Sequence, residues 1–313
     1  MKKRILTVSS ANLSLCLDIE TLPFSGGERR GKSFHFVPGG RGVVASTVLS
    51  ILGMDSIFCS KIGKDTYGKQ LMKFFDAVGT DTRFISETRN EKTTIQVVIT
   101  EETGTRRTLL FPGAVLRLTH DDIENAFTAY PDGVYLQHEV GDILVSDTVK
   151  LANENGTPVF YQPCRPRNAA MPELSGRLEA LILDENEVLS YCGIEPSEME
   201  KYLSAAMALY SRFNTKYVIF RTADRGTYVY DGKYYDIICG VPGAPVVDTA
   251  GAEEAFGAAL TARYIENGGD VKKAIAFANL IYTMCSEKKG EVDAIPTRDE
   301  IRRYIEKNEI TFD

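Results

Sequence analysis

The residues best suited to chemistry lie in one short stretch, Asp248-Thr249-Ala250-Gly251-Ala252-Glu253-Glu254. Two valines before it predict the end of a buried strand, and the alanine-rich sequence after it predicts a helix. A turn of small residues at a helix start leaves backbone N–H groups unpaired, with the positive end of the helix dipole behind them. The stretch therefore predicts a phosphate-binding site. The alternative for its two glutamates is that acidic residues in a first helical turn simply suit the dipole.

The same stretch resembles the D-T-T-G-A-G-D-x-F signature of the ribokinase (PfkB-type) carbohydrate kinases. The resemblance implies a phosphotransferase that uses ATP and Mg²⁺ and acts on a hydroxyl of a sugar or related small polyol. In that family the G-A-G amides hold the transferred phosphate, which implies an anion hole at Gly251, Ala252 and Glu253. The final aspartate of the signature is the base, and Glu254 takes its position here.

Two N-terminal segments carry the acceptor site that the resemblance implies. Asn12-Leu13-Ser14 resembles the family's N-x-D, whose aspartate grips sugar hydroxyls, and residues 39–44 resemble its G-G-K-G-x-N. Ser14 replaces the aspartate and cannot supply charge-assisted hydrogen bonds, while Val44 replaces the asparagine. The usual sugar contact is therefore weakened or replaced. The implied acceptor-binding residues are Asn12, Ser14, Gly39, Gly40, Val44 and Asp248.

Two further motifs are expected to meet the nucleotide and its metal. Asp184-Glu185-Asn186-Glu187 resembles the family's N-x-x-E, which implies that Asp184 and Glu187 organise Mg²⁺ through water. The alternative is a solvated acidic turn. Residues 221–226 resemble T-x-G-x-x-G, and Asn279 falls on the helix that the family packs against adenine. The implied nucleotide-binding residues are Arg221, Ala223, Gly226 and Asn279.

Arg221 has an alternative role. Arginine is a good phosphate ligand, so it could preserve nucleotide binding where the family has threonine. It could equally pair with Glu253 or Glu254 and close the site.

A weaker pattern, Gly40-Arg41-Gly42-Val43-Val44-Ala45, matches the G-x-G-x-x-A fingerprint of dinucleotide-binding proteins. That fingerprint belongs to the first βα turn after a buried strand. The segment before it here, Ser33 to Phe36, is typical of an amphipathic strand. The sequence therefore gives little support for an oxidoreductase.

Composition argues against several other classes of function. The chain has 313 residues, of which 43% are hydrophobic and 25% charged, as in ordinary globular proteins. Its net charge of -7 argues against a nucleic-acid partner, which would need a basic face. The six cysteines include no C-x-x-C pair, and no apolar run is long enough to span a membrane. We expect free thiols and a cytoplasmic location.

The order of predicted elements fits the same family. Strands alternate with amphipathic helices from about residue 119 onward, which predicts a parallel sheet covered on both faces. We expect one α/β domain over residues 1–313, a ribokinase-like three-layer sandwich with a mostly parallel central sheet. Segments at about 12–37 and 93–111 would form a small β-sheet lid. Lid strands in this family often pair two subunits, so the resemblance allows a homodimer through the lid, although the sequence does not decide the oligomeric state.

Two hypotheses about function follow. The first is a sugar or polyol kinase, and the second is a catalytically impaired paralogue that kept the fold for binding or regulation. Four departures from the family pattern favour the second hypothesis: Ser14, Val44, Glu253 and Glu254. The first hypothesis, which we prefer, is favoured by the residues that stand where a kinase needs them: Asp248, Gly251, Ala252, Glu187, Gly226 and the Gly39-Gly40 pair.

Overall fold

The computed structural model describes residues 2–164, 172–193, 199–222 and 226–312, in which strands alternate with helices. The strands are β1 (Arg4–Val8), β2 (Asn12–Ile19), β3 (Ser33–Gly39), β4 (Asp55–Gly63), β5 (Ile85–Thr88), β6 (Thr94–Glu101), β7 (Arg106–Phe111), β8 (Gly133–Gln137), β9 (Val159–Gln162), β10 (Leu178–Asp184), β11 (Thr215–Thr222), β12 (Gly226–Tyr230) and β13 (Tyr235–Ile238). The helices are α1 (Arg41–Leu52), α2 (Thr66–Val78), α3 (His120–Phe127), α4 (Asp142–Glu154), α5 (Glu185–Cys192), α6 (Met199–Arg212), α7 (Ala252–Glu266), α8 (Val271–Ser286) and α9 (Arg298–Lys307).

The strands form one large sheet and one small sheet. The large sheet has the order β13-β12-β11-β10-β9-β8-β1-β4-β5. Its strands run parallel except β12, which is antiparallel to both of its neighbours near one edge. The small sheet, here called the lid, has the order β3-β2-β6-β7. Its strands come from residues 12–39 and 94–111. The predicted α/β architecture, with a mostly parallel central sheet and a separate small one, is confirmed.

Helices cover both faces of the large sheet, so the main body has three layers. Successive residues of β1 point to opposite faces: Leu6 packs in the core that includes α3, α4 and α6, whereas Ile5 packs in the core that includes α1, α7 and α8. Parallel strands that are buried on both faces need continuous apolar runs. This is why short segments such as Ile5-Leu6 and Leu181-Ile182-Leu183 signal the sheet so clearly.

The segment before Asp248 is a loop, so the strand predicted there is wrong. Val246 and Val247 are 70% and 61% exposed and pair with no strand in the part of the chain that the structure describes. The backbone N–H groups of Val247 and Asp248 both donate to the Ser286 carbonyl, at 2.8 and 3.2 Å. Hydrogen bonds to the end of α8, and not to a neighbouring strand, therefore fix the position of this loop. Two adjacent valines are too short a pattern to distinguish a strand from an anchored loop.

Helix α7 lies unusually close to the carboxyl ends of β8 and β9. A Cβ atom added to Gly257 would lie 2.1 Å from Gln162 Oε1 and 2.8 Å from the Tyr135 hydroxyl. This close approach lets Gln162 Nε2 donate to the backbone carbonyl of Glu253 at 3.1 Å. The first turn of α7 is thereby fixed against the strand ends. In the described part of the chain, no helix is long and apolar enough to cross a bilayer.

The crowding at Gly257 predicts an unusual effect of an alanine in a helix. Gly257→Ala should lower the free energy of unfolding by about 1–3 kcal/mol, because the added methyl group displaces Gln162 or Tyr135. An alanine inside a helix would otherwise stabilise it by roughly 0.5–1 kcal/mol. Urea unfolding would measure the difference.

The matched control is Gly31→Ala. No atom of the described residues lies within 4 Å of a Cβ at Gly31, and its φ is not in the left-handed region. We expect this variant to stay within about 0.5 kcal/mol of the wild type. Equal stabilities of the two variants would contradict the close approach of α7 to the sheet.

Candidate active site

A pocket of about 300 Å³ lies between the lid and the main body, beside the start of α7. We call it the lid pocket. The lid contributes residues of β6 and β7, and the main body contributes the rest. The lining residues expected from the sequence are Gly40, Val44, Asp248, Gly251 and Glu254. The other lining residues are Arg41, Gln96, Arg106, Thr108, Thr249, Ala250 and Glu291.

Glu254 is the third residue of α7, and its side chain is 13% exposed. Burial raises the pKa of its carboxyl group to about 7, and the charge of Arg41 opposes the rise. Arg41 Nε lies 3.8 Å from Glu254 Oε1 and also 3.8 Å from Glu139 Oε1. A carboxyl group with such a pKa exchanges its proton near neutral pH. It is therefore suited to act as a general base.

A second pocket, of about 250 Å³, lies on the other side of Glu254. We call it the acidic pocket. Arg41, Thr249 and Glu254 line both pockets. The other residues that line the acidic pocket are Gln162, Cys164, Asp184, Glu187 and Glu253. Glu254 therefore stands where the two pockets meet.

Asp184 and Glu187 form a capping box at the start of α5. Asp184 Oδ1 accepts the Glu187 N–H at 2.7 Å, and Glu187 Oε2 accepts the Asp184 N–H at 3.1 Å. Both carboxylates also border the acidic pocket, and such oxygens acting through water suit Mg²⁺. Among the described residues, no three His, Cys, Asp or Glu side chains could hold a metal ion directly.

Glu253 forms an ion pair with Arg221. Arg221 Nε and Nη2 donate to the same oxygen of Glu253, at 2.9 and 2.6 Å. The guanidinium group also lies over the Tyr282 ring, 3.6 Å from its centroid, and donates to the Tyr282 hydroxyl at 2.9 Å. Burial raises the pKa of Glu253, and the charge of Arg221 opposes this. The structure thus adopts the alternative in which Arg221 pairs with a glutamate of α7.

A third pocket, of about 420 Å³, lies between α8, β12 and the loop at 239–246. We call it the loop pocket, and Arg221, Gly226, Asn279 and Tyr282 help to line it. Since Arg221 borders this pocket and Glu253 borders the acidic pocket, their ion pair stands between the two. Ala223, also expected here, lies outside the described residues.

Asn279 supports the wall of the loop pocket. Its Oδ1 accepts the Thr227 hydroxyl at 2.6 Å, and its Nδ2 donates to the Ile238 carbonyl at 3.0 Å. The side chain is 4% exposed. Its polar atoms therefore join α8 to the β12–β13 hairpin.

The turn at the start of α7 exposes fewer amides than expected. Gly251 has φ +73°, a conformation that glycine adopts at little cost. The N–H of Ala252 donates to the Thr249 carbonyl at 3.2 Å. Of the three amides expected to form an anion hole, that of Ala252 is therefore already used in a turn.

Asn12 and Ser14 lie beneath the lid pocket and do not line it. Both are fully buried, and neither polar atom of the Asn12 side chain has a hydrogen-bond partner within the described structure. A Cβ at Gly40 would lie 2.3 Å from Asn12 Nδ2, and a Cβ at Gly39 would lie 2.3 Å from Ser14 Oγ. The two glycines thus let the backbone lie directly over these side chains.

Sequence reasoning missed three charged residues of the lid pocket: Arg41, Arg106 and Glu291. Arg41 carried a signal, because it is the one charged residue among the glycines at 39–42. Arg106 and Glu291 carried none, because they are 185 positions apart and meet only in the folded chain, where Arg106 Nη2 donates to Glu291 Oε1 at 2.9 Å.

Comparison with known proteins gives a consistent result over nearly the whole chain. The family model described as pfkB family carbohydrate kinase matches residues 2–298. A ribokinase of Bacillus subtilis is 26% identical, with 97% of this chain and 99% of that protein covered. A ribokinase of Arabidopsis thaliana is 25% identical, with 96% of this chain and 80% of that protein covered. The structure of an Arabidopsis thaliana ribokinase complexed with ribose and ATP has a TM-score of 0.87 at 23% identity, with 97% and 98% of the chains covered.

The raised pKa of Glu254 predicts a pH-dependent effect on stability. Its carboxyl group titrates near 4.5 in the unfolded chain and near 7 in the folded protein, so the folded state binds the extra proton between these values. The stability from this proton is present at low pH and is lost as the pH rises through about 7. Glu254→Gln, which stays neutral, should therefore gain in Tm relative to the wild type between about pH 5 and 8. Thermal melts across this range would measure the change.

Glu300→Gln is the matched control, because Glu300 occupies the same third position in α9. Hydrogen bonds from Lys288 and Thr297 lower its pKa to about 2. This variant should melt below the wild type at neutral pH, and the difference should shrink as the pH falls from about 4.5 toward 2. A constant Tm difference for Glu254→Gln across the pH range would contradict a buried, proton-exchanging Glu254.

Proposed function

Because the chain belongs to the pfkB family of carbohydrate kinases, we propose that it transfers the γ-phosphoryl group of ATP to a hydroxyl of a sugar or small polyol. One observation carries this proposal. Glu254, whose pKa is about 7, stands where the lid pocket meets the acidic pocket. We assign the acceptor to the lid pocket, the transferred phosphate to the acidic pocket and the rest of the nucleotide to the loop pocket.

In the proposed reaction the Glu254 carboxylate takes the proton of the acceptor hydroxyl. The hydroxyl oxygen attacks the γ-phosphorus, the bond from that phosphorus to the bridging oxygen breaks, and ADP leaves with the electron pair. Arg41 lines both pockets and supplies positive charge beside the reacting groups. Asp184 and Glu187 would hold Mg²⁺ through water, and the metal would neutralise phosphate charge.

The second candidate function, an impaired paralogue, is favoured by the Arg221–Glu253 ion pair. The pair occupies the passage that the phosphates must cross, and a carboxylate about 5 Å from a phosphate charge costs roughly 3 kcal/mol at an effective dielectric near 20. Arg221 is also a ready phosphate ligand. If it turns to the nucleotide, it leaves Glu253 and opens the passage. We therefore favour a working kinase in which Arg221 pairs with Glu253 before ATP binds and with the nucleotide phosphates afterwards.

We also propose that two copies of the chain pair through their lids. Large apolar side chains are exposed on the lid strands, including Phe34 at 72% and Phe111 at 57%. The segment 33–36, expected to be an amphipathic strand, is exposed along its whole length. Exposed apolar groups of this kind are typical of protein–protein contacts.

The kinase proposal predicts that the protein binds ATP with Mg²⁺ and that Glu254 serves the chemical step. Glu254→Gln should lower kcat by at least about 10²-fold, the scale of a lost general base, and leave ATP binding intact. A phosphoryl-transfer assay over sugars, nucleosides and polyols, with calorimetry for ATP, would measure both.

Glu266→Gln is the control, because Glu266 lies at the far end of α7 and pairs with Arg263 at the surface. It should leave both measurements unchanged. A wild-type protein with no calorimetric signal and no Tm shift at about millimolar ATP would rule out the kinase.

The Arg221–Glu253 ion pair leads to a separate prediction about ATP affinity. Glu253→Gly removes the carboxylate and frees Arg221 for phosphate, so ATP affinity should rise by about tenfold or more. The nucleotide-free variant should melt lower than the wild type, because Arg221 loses its partner.

Glu179→Gln breaks another ion pair, with Lys216, outside the three pockets and should leave ATP affinity unchanged. Weaker ATP binding by Glu253→Gly would mean that Glu253 assists the nucleotide and does not oppose it.

A further inference from the structure

The carboxylate of Glu291 holds a fixed position in the lid pocket. Its side chain is 12% exposed, and its Oε2 accepts the Gly40 N–H at 3.0 Å. The loop that carries it is fastened to the pocket as well, because Asp248 Oδ2 accepts the Gly290 N–H at 3.0 Å. The Glu291 carboxylate therefore faces the pocket in a position that hydrogen bonds fix, unlike a mobile carboxylate on the surface.

Two strands of the lid bind the same carboxylate. Gln96 Nε2, on β6, lies 3.0 Å from Glu291 Oε1 and 3.3 Å from Oε2. Arg106 Nη2, on β7, donates to Oε1 at 2.9 Å. One side chain of the main body thus joins the Gly40 turn to both lid strands that line the pocket.

Glu291 also lies beside Ser14. Gln96 Nε2 donates to Ser14 Oγ at 3.0 Å as well as to Glu291. A Cβ atom at Gly39 would lie 2.3 Å from Ser14 Oγ and 2.6 Å from Glu291 Oε2, so both oxygens face one point above Gly39. The carboxylate of Glu291 is therefore placed where a carboxylate on residue 14 would reach.

The charges of the pocket indicate what kind of acceptor fits. Among the described residues, its carboxylates are those of Asp248, Glu254 and Glu291, and its cations are those of Arg41 and Arg106. Arg106 contacts Asp248 at 3.5 Å and Glu291 at 2.9 Å, and Arg41 lies 3.8 Å from Glu254. Both cations already face carboxylates. An anionic group on the acceptor would have to displace one of these carboxylates from its arginine. Hydroxyl groups on the acceptor can instead donate hydrogen bonds to the carboxylates.

We propose that Glu291 binds hydroxyl groups of the acceptor, in place of the carboxylate that residue 14 lacks, and thereby selects an uncharged polyol. The proposal rests on the proposed kinase function. Arg106 and Gln96 orient the Glu291 carboxylate, and the acceptor's O–H groups donate to it. A site built around a buried carboxylate discriminates against substrate analogues that lack a hydroxyl group to donate to it.

Glu291→Gln tests the proposal with little change of shape, since the amide oxygen can still accept the Gly40 N–H. The acceptor would be the best substrate from a panel of neutral pentoses and hexoses that includes D-ribose and D-fructose. We expect the acceptor KM to rise by about tenfold or more and the KM for ATP to stay within about twofold. Asp293→Asn is the control, because Asp293 is exposed, lies two residues after Glu291 in a short 3-10 helix (Val292–Ala294) and does not line the pocket. It should leave both KM values unchanged.

Moving the carboxylate provides a second test. Glu291→Ala should weaken acceptor binding at least as much as Glu291→Gln, and adding Ser14→Asp to it should recover most of the lost affinity. Ser14→Asp alone should weaken binding, because it places a second carboxylate beside the first. Melting temperatures and calorimetric binding of the sugar without ATP would be measured for all variants. These readouts separate loss of binding from loss of folding.

The outcomes distinguish this inference from the kinase proposal. An unchanged acceptor KM in both Glu291 variants would overturn the role of Glu291 and leave the kinase intact. A preference for phosphate esters or acids of the same sugars would overturn the uncharged acceptor. If the wild type bound no ATP, the kinase would fail, and sugar calorimetry on wild type and Glu291→Gln would still decide the role of Glu291. If the wild type bound none of the sugars, both parts of the proposal would be overturned: that Glu291 binds acceptor hydroxyl groups, and that it selects an uncharged polyol.

Discussion

The close packing of α7 against the strand ends is the constraint on which the rest of the site depends. Because residue 257 has no side chain, Gln162 can reach the backbone carbonyl of Glu253 and hold the first turn of the helix. The Tyr135 hydroxyl donates to Gln162, and Gln137 donates to Tyr135 at 3.3 Å. The carboxyl ends of β8 and β9 therefore fix the position of Glu253 and Glu254 through hydrogen bonds. A satisfied buried polar network of this kind specifies one arrangement of the helix.

Glu253 and Glu254, which are adjacent in α7, have different electrostatic surroundings because each lies beside a different arginine. Arg221 binds Glu253 through two N–H groups and is itself held by Tyr282. Arg41 lies 3.8 Å from Glu254, and its guanidinium also donates to the backbone carbonyl of Cys164. Among the described residues, Glu254 is therefore buried without a close charge-assisted hydrogen bond from an arginine. Burial raises the pKa of both carboxyl groups. The charge and hydrogen bonds of Arg221 oppose this rise at Glu253, whereas the charge of Arg41 opposes it at Glu254.

The sequence predicted the fold more fully than the site. Continuous apolar runs and helix caps such as Thr119 indicated the large sheet and its helices, because these signals are local. The pattern did not indicate β5, a strand of four residues in which only Ile85 is buried. Local motifs also brought Gly40, Val44, Asp248, Gly251 and Glu254 to one pocket. They could not predict that Glu291 and Arg106 would join them, or that Asn12 and Ser14 would lie beneath Gly39 and Gly40, because these contacts arise only when distant segments pack together.

The lid is joined to the main body by the protein's own side chains, through Gln96 and Arg106 on the Glu291 carboxylate. The conformational entropy of its strands is therefore lost largely during folding, and little remains to be lost when a ligand binds. A binding surface that exists before the encounter makes association rates similar for related molecules. Differences in affinity among acceptors then lie in their residence times, that is, in how long each one stays once it has bound.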